Sequence, residues 1–239
     1  CGAQIIECSF SCPQGSMGQK PGFMLGQDPK LVREVTGWVK SAAKVPVVIK
    51  ITPQVADIVE VVKAVKEGGG DAVCAANSIP SLMGVDLDTL VPYPNVNGRS
   101  TYSGFSGPAI RPLTYRTLAE IGRNVDIPIT GTGGPMDWRD AVQFIALGAT
   151  TVQFCTAVMR FGFGIIEDLK EGLHYYMKEK GYRSPADWRG KALQHICGHE
   201  GLPYEDKMVS KIDPDKCVKC LQCVVACRDG GQVAIKVKA

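Results

Sequence analysis

Four cysteines near the C-terminal end stand at a spacing that suits few kinds of chemistry. The stretch "CVKCLQCVVACRDGG" places Cys217, Cys220, Cys223 and Cys227 in a C-x2-C-x2-C-x3-C run. A tight loop of that spacing turns three thiolates toward one iron–sulfur cluster, and the fourth leaves on a helix toward a second. Zinc sites usually pair two separated C-x2-C units, so a zinc knuckle fits poorly. The expectation is a ferredoxin-like 4Fe-4S module over 211–239, the first motif of a pair. In two-cluster modules each cluster borrows its fourth cysteine from the other motif. The partner motif is therefore expected beyond residue 239.

Other chemistry-bearing residues sit just after apolar runs. "GTGG" at 131–134 lets backbone approach an anion, and amides of the following turn would point at it. Gly133 and Gly134 with Cys155 and Thr156 are candidates for a phosphate cradle, against the alternative of a plain glycine turn. Lys50 ends an apolar run, where a charge is expensive unless partnered. It either snorkels to solvent or stands as a fixed cation beside a cofactor that becomes anionic on reduction. Cys12, in "CSFSCPQGSMG", is a buried structural thiol or a general acid on an active rim. The glycines from Gly15 to Gly26 suit a lid. Asn77 and Ser78 offer a donor and an acceptor to a ring edge, or simply make a turn. "YSGFSGPAIRP" supplies Gly104, Ser106 and Gly107 for close approach to a flat cofactor. His195-x-Cys197-x-His199 lacks a fourth ligand at a sensible spacing and reads as helix and linker.

The elements that must position these groups alternate. "AQIIEC" (3–8), "VPVVIKI" (45–51), "DAVCAA" (71–76), "IPITG" (127–131) and "TTVQFC" (150–155) read as buried parallel strands. Helices are expected over 29–43, 56–67, 112–123, 137–147 and 163–180. Polar or glycine-rich residues follow nearly every strand, which favours a (β/α)8 TIM barrel over a doubly wound sheet with one switch point. With five strands visible, about three are expected upstream of Cys1, and the chain reads as lacking an earlier part. The domain reading is a barrel portion over 1–180, a linker with one short helix near 188–197 over 181–210, and the cluster module over 211–239.

Composition narrows the class. The chain has 239 residues, 45% hydrophobic and 21% charged, with a net charge of +3 spread along it. Neither nucleic acid nor an anionic membrane is indicated as a partner. No apolar run approaches the ~18 residues of a membrane span, and no signal peptide opens the chain. The six cysteines outside the cluster motif show no secreted-scaffold rhythm, so a reducing, cytoplasmic setting fits.

Taken together, "SCPQG", "IKITP", "AANS", "YSGFSG", "GTGG" and the ferredoxin tail resemble the dihydropyrimidine dehydrogenases, in their FMN and iron–sulfur portion or subunit. The class 1 dihydroorotate dehydrogenases share the barrel part. The resemblance implies an FMN enzyme that reduces the C5–C6 double bond of uracil or thymine, with Cys12 as the general acid at C5. It implies that Lys50, Gly104, Ser106 and Gly107 face the flavin, and that Gly133, Gly134 and Thr156 hold its phosphate. Asn77 and Ser78 would contact the pyrimidine. Electrons would arrive through 4Fe-4S clusters from an FAD/iron–sulfur subunit or domain that oxidises NADH or NADPH, in an oligomer. A single phosphate cradle without a G-x-G-x-x-G fingerprint agrees with FMN. Ser9 stands where the family has Asn, which leaves open another activated C=C substrate, or a non-catalytic electron-transfer subunit.

Overall fold

The computed structural model describes residues 2–11, 25–203, 211–232 and 234–235. Five runs form one parallel sheet: β1 (Ile6–Ser9), β2 (Val47–Lys50), β3 (Ala72–Ala75), β8 (Ile129–Gly131) and β9 (Thr151–Val152). The numbering leaves room for four short strands between β3 and β8. These are β4 (Ile79–Ser81), β5 (Gly84–Val85), β6 (Pro92–Tyr93) and β7 (Ser103–Phe105). β4 pairs antiparallel with β7, and β5 with β6. Periodicity did not announce these strands, because two or three residues carry too little pattern.

The main sheet runs in chain order, β1-β2-β3-β8-β9, with no switch in direction or order. Register pairs Ser9 with Lys50, Lys50 with Cys74, and Gly131 with Val152, so the strand C-termini share one rim. Helices follow the strands: α1 (Pro29–Ala42), α2 (Ile58–Glu67), α3 (Arg111–Asn124), α4 (Trp138–Ala146), α5 (Thr156–Phe161) and α6 (Ile165–Lys180). Asp28, Asp57 and Asp137 cap α1, α2 and α4 by accepting from amides of the first turn. The helix expected over 163–180 begins at Ile165, and the separate α5 precedes it.

Alternation along the strands decides which face the helices cover. Val47, Ile49, Val73, Ala75 and Ile129 point one way and pack with Val32, Val61, Val62, Val65, Leu118, Ile121 and Phe144 in one core. Lys50, Cys74 and Thr130, paired in register, point the other way and lie outside that core. A doubly wound sheet would carry helices on both faces.

The chain divides into two compact units, residues 1–196 and 197–239. Residues 181–196, expected as part of a linker, pack on the first unit. Trp188 is buried there and donates to the Val142 carbonyl, and Gly190 and Ala192 donate to the carbonyls of Ile145 and Ala146. The short helix expected near 188–197 is replaced by 3-10 turns, Pro185–Asp187 and Leu193–His195. In the second unit α7 (Gln222–Asp229) carries Cys223 and Cys227.

Phe144 is fully buried, stacks edge-on with Tyr115, and fills the space beside Gly131, where an added Cβ would lie 2.5 Å from its ring. Phe144→Ala should therefore cost about 3–5 kcal/mol, read as a lowered urea midpoint at unchanged slope.

Candidate active site

The ends of β2, β3, β8 and β9 and the loop after β7 enclose a cleft of about 250 Å³. Its lining includes Lys50, Asn77, Ser78, Gly104, Ser106, Gly107, Gly133, Gly134, Cys155 and Thr156. The structure thus brings together every proposed cofactor-binding residue, along with Asn77 and Ser78. Ser9 lies on the same rim, opposite Lys50 in the β1–β2 register, but does not line the cleft. Cys12 and the glycine-rich stretch after it, up to residue 24, lie outside the described residues. A larger groove of about 570 Å³ runs along α2 and α3. Its charged groups are already engaged, with Asp57 capping α2 and Arg116 paired to Glu120, so the smaller cleft is the better site.

Backbone conformation shapes the cleft floor. Gly133 and Gly134 have φ of 115° and 100°, in the region that favours glycine. A Cβ on Gly133 would meet the Thr114 hydroxyl at 2.5 Å, and one on Gly134 would meet Arg111 Cβ and the Gly107 carbonyl at 2.8 Å. Gly107, at φ 89°, would bring a Cβ within 3.3 Å of Thr156 Cγ2. The three glycines and Thr156 therefore come together across two loops. Thr132 exchanges backbone bonds with Ala75 and Ala76, which ties this turn to the end of β3. The amides of Gly133 and Gly134 find no acceptor among the described residues. Behind them the nearly buried Asp140 accepts from the Met136 amide and pairs with Arg111, an anchor that reading the sequence missed.

Asn77 behaves differently from expectation. Its Nδ2 donates to the Ser11 carbonyl and hydroxyl, both at 2.9 Å, while its Oδ1 accepts from the Ser78 amide at 2.7 Å. Ser11 is buried, and its hydroxyl also donates to the Lys50 carbonyl at 3.3 Å. Asn77 thereby fastens the chain just before Cys12 to the end of β3. Gly26 donates to the Phe10 carbonyl, so the two flanks of the undescribed stretch are pinned together.

Beneath the cleft, four polar residues from four strand positions touch in series. Glu7 Oε1 lies 3.8 Å from Lys50 Nζ, and Glu7 Oε2 accepts from Gln153 Nε2 at 2.9 Å. Gln153 Oε1 accepts from the Cys74 thiol at 3.5 Å. Burial, reinforced by the Glu7 carboxylate, pushes Cys74 up to about 12, so it stays a neutral donor. Sequence reading flagged only Lys50 of these four. The signal was there, because Glu7 and Gln153 are polar residues inside apolar runs.

In the second unit none of the four motif cysteines is in a disulfide, and Cys217, Cys220 and Cys223 are exposed. Lys219 and Leu221 take left-handed φ of 54° and 59°, which turns the loop between the thiols. The Ala234 amide donates to Cys227 Sγ at 3.2 Å, the kind of bond that stabilises a thiolate in a cluster. Among the described residues no group of three potential ligands converges tightly enough to hold a single metal ion. His195 meets Gln194 rather than a metal.

Comparisons with known proteins place the chain in a family. Residues 2–177 match the dihydroorotate dehydrogenase family model, and residues 210–230 match the 4Fe-4S binding domain. The chain belongs to the dihydroorotate dehydrogenase family. It is 38% identical over 238 residues to the NAD-dependent dihydropyrimidine dehydrogenase subunit PreA of Escherichia coli K12, covering 98% of this chain and 58% of that protein. It is 37% identical over 212 residues to the chloroplastic NADP(+) dihydropyrimidine dehydrogenase of Arabidopsis thaliana, covering 86% and 50%. It is 39% identical over 190 residues to the catalytic subunit of dihydroorotate dehydrogenase B (NAD(+)) of Methanothermobacter thermautotrophicus, covering 80% and 61%. The chain thus spans 50–61% of the length of these relatives.

The family binds FMN, and the second domain a 4Fe-4S cluster. The first unit fits a flavin phosphate in its two unpartnered glycine amides, with Lys50 as the cation in the same cleft. The second fits a cluster in its all-thiolate donor set. Gly134→Ala should lower stability by more than about 1 kcal/mol, because both φ and space oppose a Cβ. Flavin retained after gel filtration should fall with it, and an unchanged urea midpoint together with full retention would contradict the geometry.

Proposed function

We propose that this chain reduces the C5–C6 double bond of a pyrimidine such as uracil or thymine, with electrons delivered through 4Fe-4S clusters from a partner that oxidises NADH or NADPH. The observation that carries this reading is the cleft. Lys50, Asn77, Ser78, the loop glycines and Thr156 line one cavity at the strand C-termini, in a chain that also carries the four-cysteine motif. The names of its relatives, dihydropyrimidine dehydrogenases and a dihydroorotate dehydrogenase catalytic subunit, support the same chemistry. Two of those names describe subunits, which supports a separate electron-donating partner. No helix of the described residues is long and apolar enough to cross a membrane, in keeping with a proposed cytoplasmic setting.

We also read the sheet as part of a (β/α)8 barrel. Strand order follows chain order, the core helices cover one face, and Glu7 of β1 meets Gln153, just past β9, across the other face. β1 and β9 are the two edges of the sheet, so this contact requires strong curvature. Glu7, Cys74 and Gln153 come from alternate strands, as the layers of a barrel interior do.

FMN, when bound, supplies a hydride to C6 of the ring. The residues of the chain do the rest. Gly133, Gly134 and Thr156 hold the phosphate, and Lys50 sets a positive charge against the flavin. Cys12 gives a proton to C5, and the latch between Asn77 and Ser11 fixes the backbone that leads to it. Ser78 presents its hydroxyl oxygen to the substrate from the cleft wall, and Ser9 approaches it from the rim beside the cleft. An alternative reading, reduction of another activated C=C bond by a dihydroorotate dehydrogenase-like enzyme, is suggested by Ser9, which is shorter than the family's Asn.

Heating the purified protein should release FMN, and recovery of FAD instead would refute the assignment. Assays of uracil, thymine and other enones by reduction, and of dihydroorotate by oxidation, should then rank the substrates. Cys12→Ala should retain flavin yet lose at least ~10²-fold in turnover per bound flavin. Unchanged turnover per flavin would remove Cys12 from the mechanism.

A further inference from the structure

Lys50 is not alone under the cleft. Glu7 stands one strand away on the same face of the sheet, its carboxylate 3.8 Å from the Lys50 ammonium. Gln153 holds the other carboxylate oxygen at 2.9 Å, and the Cys74 thiol orients the Gln153 amide in turn. Lys50 and Gln153 line the cleft, whereas Glu7 and Cys74 lie behind them. The carboxylate is thus held in place by a neutral amide on one side and faces an ammonium on the other. Its side chain is 31% exposed and that of Lys50 is 24%, so water screens the pair only in part.

We propose that Glu7 is a positioning residue that acts through Lys50, serving as the fixed counter-charge that holds down the reduction potential of a flavin in this cleft. The inference rests on the FMN reading above. Adding two electrons and one proton to an oxidised flavin leaves one negative charge on the ring system. Lys50 favours that charge and Glu7 opposes it, because the carboxylate cancels part of the ammonium's field. A lysine alone would pull the flavin toward the reduced form and make it a weaker hydride donor. With the carboxylate behind it, the ammonium attracts the flavin without trapping its electrons. The series from Cys74 through Gln153 to Glu7 explains why this carboxylate is held rather than left to swing into solvent.

The test is a midpoint potential, measured on the purified full-length chain against reference dyes during dithionite titration, after flavin content has been recorded for each variant. Glu7→Gln keeps an oxygen that can accept from Gln153 and removes only the charge. It should shift the reduced-to-oxidised ratio about tenfold toward reduced, which is about 30 mV upward for a two-electron couple. Lys50→Met should move the potential downward. A Glu7→Gln potential that stays put, or falls as it would if Glu7 merely propped Lys50 in place, overturns the proposal. Glu7→Ala, which also drops the bond from Gln153, should rise as well, and gives a second reading if Glu7→Gln binds flavin poorly. A wild-type protein without flavin overturns the FMN reading and the proposal with it. A flavin-bearing variant with unmoved potential overturns the proposal alone.

Discussion

The organising constraint is that one sheet has two unlike faces, and only one of them can be buried by oil. Val47, Ile49, Val73 and Ala75 press into the helical layer, where each fully buried Val or Ile side chain contributes ~1.5–3 kcal/mol. The same alternation forces Glu7, Lys50 and Cys74 onto the opposite face. Polar groups placed there must satisfy one another, because an unpaired charge in a poorly solvated space is costly. The contacts from Cys74 through Gln153 and Glu7 to Lys50 are that satisfaction. They also fix the curvature of the sheet, since Glu7 and Gln153 belong to its opposite edges. Shape and electrostatics of the cleft therefore follow from a single register, and a slip of one residue in β1 or β2 would undo both.

Much of this was legible in the sequence, and the reasons differ by element. The buried strands declare themselves as continuous β-branched runs, and α1, α2 and α4 declare themselves through Asp28, Asp57 and Asp137 at their caps. The cleft residues were readable because each follows a strand, and parallel strands deliver their C-termini to one rim. The four-cysteine run is explicit in spacing alone. What stayed hidden depends on long-range pairing. β4 to β7 are too short to show a period. The bonds from Asn77 to Ser11 and from Gln153 to Glu7 join residues 66 and 146 positions apart. No local pattern encodes such partners. Trp188 lay in a stretch rich in turn residues, so its burial against Val142 had no sequence signal beyond its size.

The contacts at Asn77 add most to what the sequence showed. Both its donor contacts run to Ser11, and its oxygen already accepts from the Ser78 amide. An amide so committed cannot swing freely to meet a ligand, because the Ser78 hydroxyl also donates to its oxygen, at 3.3 Å. The rim at the end of β3 then offers the Ser78 hydroxyl, which donates to Asn77 Oδ1 and keeps its oxygen as an acceptor, in place of a free amide. A hydroxyl rotates to donate or to accept, whereas an amide fixes which atom does which. Under the proposed function, recognition beside Asn77 rests on that hydroxyl, while Gln153, an amide held by Glu7 and Cys74, lines the same cleft. Discrimination then falls to shape, to the fixed amide of Gln153 and to the charge of Lys50, which border the cleft, whereas Ser9 stands on the rim outside it.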